Sequence, residues 1–363
     1  MTVRKVSNNP ASPFYNANCP NLTGQAGSLT TWLDAVLVNG FSGFTALGWT
    51  IGQTTTNKRQ YIMGAGGTGF SLWVDDTAPT TAKEARCVGF ETMSATTPTG
   101  TGQFPTGAQS SIGIGYLAIR KSTTADSTVR YATIIGDART FYLFTETGDF
   151  TGTNFAVFTF SFGDFIPYSA TDTSYCHIIG RQIENTPNSG PGNVGATAMY
   201  EGWPILSLMN STGLSNVING HYIARNFTNT GGSIQFGKNS DQALMGAASG
   251  GGGNVMGIQG VWTTNTVTSL FINQFNLPNG PDGGLMMAPV RLHHQGNLRG
   301  YLRGIWCPLQ HQPQTHNDVF SGTGALAGKD FVCQVLNGLI TGGAGGTGGQ
   351  GGQVFVEKSD TWP

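Results

Sequence analysis

The sequence predicts an all-β protein of antiparallel sheets, sandwich-like or barrel-like, carrying one short helix and long glycine-rich loops. Two observations lead to that expectation. Between Val129 and Ile179, strand-like runs of Val, Ile, Thr, Tyr and Phe alternate with the turn pairs Gly136-Asp137, Gly148-Asp149 and Gly163-Asp164, the pattern of an antiparallel meander. Only one stretch carries the 3.6-residue apolar period of a helix: Leu29, Trp32, Leu33, Val36 and Leu37 fall at i, i+3, i+4, i+7 and i+8.

Residues 1–27 read as an extended N-terminal arm, with Pro10, Pro13 and Pro20 against regular structure and Val3, Val6, Phe14 and Tyr15 to bury against a neighbour. The helix follows over Leu29 to Val38, with Ser28 as its cap, Asn39-Gly40 as its stop and the Trp32 face docked on a sheet. Strands are expected at Thr45 to Ile51, Lys58 to Met63, Gly69 to Val74 and Ala85 to Met93. The Thr/Pro/Gly-rich stretch from Ala95 to Gln109 reads as a surface loop, and Ser111 to Ile119 leads into the meander. Turn-formers crowd residues 184–197, which divides the chain into a β domain over 28–190 and a second β region over 191–363, separate from the first or continuous with it.

In that second region, strands are expected at Met199 to Met209, Val217 to Asn226, Ser233 to Phe236, Val255 to Trp262, Thr266 to Phe275, Leu285 to Leu292 and Leu298 to Trp306. Phe331 to Leu336 and Gln353 to Glu357 flank a glycine tract from Gly338 to Gly352, the arrangement of a hairpin with a long pliable loop. No heptads and no period of 20 to 50 residues suggest a shaft, solenoid or propeller.

Composition bounds the function classes. Charged residues are 10% of 363 and the net charge is −1, against roughly 25% charged in an ordinary soluble domain. Nucleic acid and anionic membranes therefore have no electrostatic footprint to meet, and a surface facing protein partners, including further copies of the chain, is expected. Cys19, Cys87, Cys176, Cys307 and Cys333 are far apart and odd in number, so they read as buried reduced thiols made in a reducing cytoplasm. No run of apolar residues has signal-peptide or membrane-span length.

Candidate sites all have a plainer reading. His293, His294, His311 and His316, with Cys307, are the best metal candidates, yet adjacent histidines on a strand point to opposite faces and cannot share an ion. Gly113-Ile-Gly-Tyr-Leu-Ala118 and Gly322-Thr-Gly-Ala-Leu-Ala327 match the letters of a dinucleotide fingerprint without the strand-to-helix context it needs, and Gly328-Lys329 is a near miss for a phosphate loop. Asp137 with Asp164, or Glu146 with Asp149, offers paired carboxylates, but Asp beside Gly makes turns. No Gly-x-Ser-x-Gly elbow is present. The expectation is therefore a protein that is not an enzyme, with no catalytic, cofactor-binding or metal-binding residues and no cofactor. A sugar-binding platform of surface Trp or Tyr flanked by Asn and Asp is the one binding alternative.

Several segments in order, Gly24 to Phe41, Phe70 to Asp76, Gly136 to Leu143 with Phe162 to Phe165, Pro278 to Gly284, Leu298 to Trp306, His316 to Asp318 and Val354 to Trp362, resemble a family of virion structural proteins of tailed bacteriophages. The resemblance implies a virion component, assembled in the host bacterial cytoplasm, that binds other virion proteins and carries over no functional residues. The leading expectation is attachment to the tail or neck as an appendage, fibre anchor or collar. A head decoration protein and a module recognising a host surface glycan are the alternatives.

Overall fold

A computed structural model describes residues 1–77, 83–95, 98–107, 115–122, 124–146, 157–181, 219–226, 228–231, 234–236, 287–294, 297–308, 314–335 and 353–362. It is an antiparallel β protein with one short helix, and no sheet closes into a barrel. In chain order the strands are β1 Arg4–Ser7, β2 Thr50–Thr55, β3 Lys58–Ile62, β4 Ser71–Asp75, β5 Glu84–Phe90, β6 Thr92–Ala95, β7 Thr99–Thr101, β8 Leu117–Arg120, β9 Tyr131–Gly136 and β10 Thr140–Glu146. They continue with β11 Val157–Asp164, β12 Ile166–Pro167, β13 Cys176–Arg181, β14 Asn219–Ile223, β15 Ile234–Phe236, β16 Met287–His294, β17 Asn297–Pro308, β18 Val319–Ser321, β19 Asp330–Val335 and β20 Gln353–Glu357.

The expected meander is the centre of the larger sheet, in the order β1-β9-β10-β11-β13-β8-β5-β4-β3-β2, with β14 and β15 branching from β13. Its middle strands are buried on both faces: every residue of β10 and β11 is buried. Alternate side chains serve two cores. Ile134, Phe141, Leu143, Phe160, Phe162 and Ile178 face the helix. Ile135, Tyr142, Phe144, Val157 and Ile179 pack instead against Val290, Leu302, Ile305, Val354, Val356 and Trp362 of a second sheet, ordered β12-β17-β20-β19-β18 with β16 also on β17. Helix, large sheet and small sheet therefore form three layers. Strands cross the expected boundary in both directions, since β14 joins the large sheet and β12 the small one. The expected strands at 199–209, 255–262 and 266–275, and the glycine tract at 338–352, lie outside the described residues. The hairpin strands that flank the tract, β19 and β20, pair as expected.

Four local expectations need correcting. The N-terminal residues bury apolar side chains in their own chain: β1 pairs with β9 as an edge strand of the large sheet, and Val3, Val6 and Leu22 are buried. Their apolar side chains found a core within the chain. The helix is α-helical over Ser28–Leu33 only and widens into π turns over Asp34–Asn39, with the Gly40 N–H on the Ala35 carbonyl. Widening frees the Val36 and Leu37 carbonyls, and they accept the N–H groups of Leu47, Gly48 and Trp49 from the chain that leads into β2. Ser28 does not cap; its hydroxyl accepts from the Thr23 N–H, while the Leu29 N–H donates to Asp76 Oδ2 at 2.8 Å. The stretch expected as a loop after Ala95 carries β7, paired with β6.

Tight approach explains one glycine that composition alone presents as a loop former. Gly304 lies mid-strand in β17 at φ 62°, and a Cβ there would stand 2.2 Å from Trp362. The missing side chain lets the buried Trp362 indole close the inter-sheet core.

Candidate functional site

The residues singled out from sequence are dispersed. His293, His294 and Cys307 sit on β16 and β17 with side chains outside the described set, and His311, Asp149 and Gly113 also lie outside it. His316 accepts the Val335 N–H at Nδ1 and has Nε2 3.5 Å from Glu146. Among the described residues no group of three or more His, Cys, Asp or Glu side chains is placed to hold a metal ion. Gly322 to Ala327 forms a loop with one 3₁₀ turn that runs into β19, a strand and not a helix. Lys329 is engaged by Glu357 at 2.7 Å. The described thiols, Cys19, Cys87, Cys176 and Cys333, are free and buried. Burial pushes Cys19 and Cys333 up to about 12, away from nucleophilic thiolate.

Asp137 and Asp164 both adjoin Arg139, Asp137 through its side chain and Asp164 through its backbone N–H on the Arg139 carbonyl. Asp137 Oδ1 accepts the N–H groups of Arg139 and Thr140, closing the β9–β10 turn, and its Oδ2 lies 3.1 Å from the Arg139 guanidinium. Asp164 accepts the Thr68 N–H at 2.8 Å and the Thr68 hydroxyl at 2.7 Å, tying the β3–β4 loop to β11. Burial raises the Asp164 carboxyl to about 6 against those hydrogen bonds. Nearby, Ser161 Oγ and His177 Nε2 are 3.0 Å apart, the spacing of a nucleophile and its base. Ser161 and His177 are 0% and 1% exposed, and the imidazole lies beside the Tyr142 and Phe165 rings. No substrate reaches this pair without opening the inter-sheet core. The cluster ties hairpin, loop and sheet together.

The same inward use of charge recurs through the molecule. Lys121 pairs with Asp76, both side chains 0% exposed, and Arg299 with Asp172, both 2% exposed. Lys58–Asp75, Arg59–Asp34 and Arg225–Glu91 are further pairs between elements. Desolvation raises Asp76 to about 6 and lowers Lys121 and Arg299, opposed in each case by the partner's charge.

Among the described residues a concave surface stands open. A depression of about 650 Å³ lies where the π turns end, lined by Arg4, Val38, Asn39, Phe41, Phe44 and Thr45 among others. Its wall is a tight turn: Phe41 and Phe44 exchange backbone hydrogen bonds of 3.0 and 2.8 Å, Gly43 supplies φ 78°, and the two rings stack at 5.0 Å. The side-chain amides of Asn16 and Asn18 donate to the Ser42 carbonyl and hold the turn from behind. Sequence reasoning missed this surface, because Phe41 and Phe44 fall between the expected helix and the strand expected from Thr45, and Arg4 in an arm expected to pack on a neighbour. Compared with family models and with curated proteins, the chain matches none.

Proposed function

We propose that this chain is a non-enzymatic structural component of a tailed-phage virion, attached at the tail or neck as part of an appendage, fibre anchor or collar. It acts by assembling with other virion proteins and with copies of itself. The observation that carries the reading is where the charge goes. A chain with only 18 basic and 19 acidic residues spends Lys121, Asp76, Arg299, Asp172, Asp137 and Asp164 inside the fold. Among the described residues most exposed side chains are neutral, Thr54, Thr55, Ser42, Thr45, Thr171 and Tyr168 among them, while Asp126, Asp318, Asp330 and Asp360 are exposed charges. Covering such a surface desolvates few charges, and charge depletion marks the buried centres of protein interfaces. The likeness to virion structural proteins points the same way, and the head decoration reading shares this support.

Immunogold electron microscopy of intact phage particles tests the proposal. Label at the tail or neck supports it, label over the capsid selects the head decoration reading, and no label on intact or disrupted particles sinks both.

A second reading, a glycan-recognising module, rests on Tyr168. This side chain is 57% exposed, its ring 5.8 Å from that of Tyr301, in a loop that Asn229 holds through Thr171 and Thr173. Against it, Trp32, Trp49, Trp73 and Trp362 are all buried. A glycan-array signal that Tyr168→Ala abolishes would put this reading first.

A further inference from the structure

The geometry points to the depression beside Phe41 and Phe44 as a docking site for a short peptide segment of a partner protein, one that sets a carboxylate next to an apolar side chain. This deepens the assembly reading above and rests on it. Arg4 carries the argument. Among the described residues Lys5, Lys58, Arg59, Lys121, Arg139, Arg225, Arg299 and Lys329 each meet a carboxylate. Arg4, like Lys83 and Lys358, meets none, and of these Arg4 alone lines the depression, where its Nη1 donates to the Ala46 carbonyl.

Beside that bond Arg4 has the Nε–H and Nη2–H donors, the fork with which a guanidinium holds a carboxylate by two hydrogen bonds. None of the described residues that line the depression is a carboxylate, so an incoming one meets no like charge from them. Beside the fork, the stacked Phe41 and Phe44 rings are only partly buried and offer an apolar face. Exposed Asn39, Ser42 and Thr45 supply neutral hydrogen-bonding groups at the rim. The volume lies within the roughly 300–1,000 Å³ of ligand sites, but it is open along one side, as an extended peptide requires. A lone cation is a poor match for a phosphodiester chain, which is held by several.

The wall and floor are preformed. Asn16 and Asn18 brace the turn, and the Val36 and Leu37 carbonyls hold residues 47–49. Binding therefore orders the peptide alone.

The test is fluorescence polarisation on the full-length protein with fluorescein-labelled hexapeptides that place Asp or Glu beside Leu or Phe. Matched Asn and Gln peptides and labelled N-acetylneuraminic acid serve as comparison probes. The expected result is binding by the acidic peptides that weakens about tenfold or more with the Asn or Gln peptides and with Arg4→Gln, the loss of a charge-assisted hydrogen-bond pair. Thr45→Glu, on the exposed rim, places a competing carboxylate by Arg4 and should weaken binding equally while leaving the melting temperature unchanged. Binding indifferent to Arg4→Gln or to peptide charge overturns the proposal, as does no binding by the folded wild type. Preference for the carboxylated sugar overturns the choice of partner. Particle labelling separates the two claims: label without peptide binding sinks the groove and spares the virion role, and peptide binding without label does the reverse.

Discussion

Replacing Asp76 by Asn changes one atom and should strand a charge. Asn keeps an oxygen for the Leu29 N–H, so the start of the helix stays capped, but Lys121 loses its one carboxylate partner among the described residues, at a site where both side chains are 0% exposed. Breaking one side of a buried pair costs about 3 to 5 kcal/mol. The reverse change should be cheaper. In Lys121→Met, Asp76 can take up a proton, because its carboxyl already stands at about 6 with Lys121 holding it down. Neutralising it at pH 7 then costs less than about 1.4 kcal/mol, and about 1 to 2 kcal/mol is expected in all. The double variant has no charge left to strand and should resemble Lys121→Met alone, a coupling as large as the Asp76→Asn cost, about 3 to 5 kcal/mol. The sign of the pH effect follows. A stranded Lys121 with its pKa lowered by burial binds fewer protons folded than unfolded, so the deficit of Asp76→Asn should shrink from pH 7 to pH 9. Guanidinium unfolding followed by tryptophan fluorescence reads all four proteins. A double variant as destabilised as the sum of the singles, or Lys121→Met worse than Asp76→Asn, would refute the reasoning.

Other expectations follow from the same structure. Trp32→Ala removes a side chain that is fully buried between helix and sheet and should cost about 3 to 5 kcal/mol; an unchanged melting temperature would mean the helix is not docked as described. Deleting residues 1–20 removes β1 with Val3 and Val6 and should destabilise the isolated protein by about 3 to 6 kcal/mol, where a free arm would leave it unchanged. Asp164, raised to about 6 by burial, binds its proton more tightly folded than unfolded, so the stability that proton contributes is lost as pH rises through 6. Asp164→Asn should therefore compare more favourably with wild type at pH 7.5 than at pH 5 by differential scanning fluorimetry, and the opposite order would show the carboxyl is not raised. Cys19, Cys87, Cys176 and Cys333 should resist Ellman's reagent in the native protein and react once it is unfolded.

Much of the fold was legible because it is local. The Gly136-Asp137 and Gly163-Asp164 turns, the period-2 runs between them and the apolar stripe from Leu29 to Leu37 state the meander and the helix without reference to the rest of the chain. Asp137 does close its turn, through the Arg139 and Thr140 N–H groups, whereas Gly163 and Asp164 continue β11 and the Asp164 carboxylate holds Thr68 instead. β1 was not legible, because an edge strand of four residues bounded by Asn and Pro has no pattern until β9 is beside it. Ser28 offered the right chemistry for a cap, and a carboxylate 48 residues away in sequence outcompeted it because the sheet brings Asp76 to the helix start. The depression was invisible for a similar reason: Arg4 and Phe41 meet only once β1 is in the sheet and the helix has been widened.

The sequence by itself determined the class of the fold, the central strands and the scarcity of charge, since propensity, turn chemistry and composition act through near neighbours. The tertiary structure decided which face each strand shows to which core, that the first residues complete a sheet of their own chain, and where the few charges are spent. Those choices depend on contacts between residues far apart in sequence, where burial sets which partner an ionic or apolar group can find.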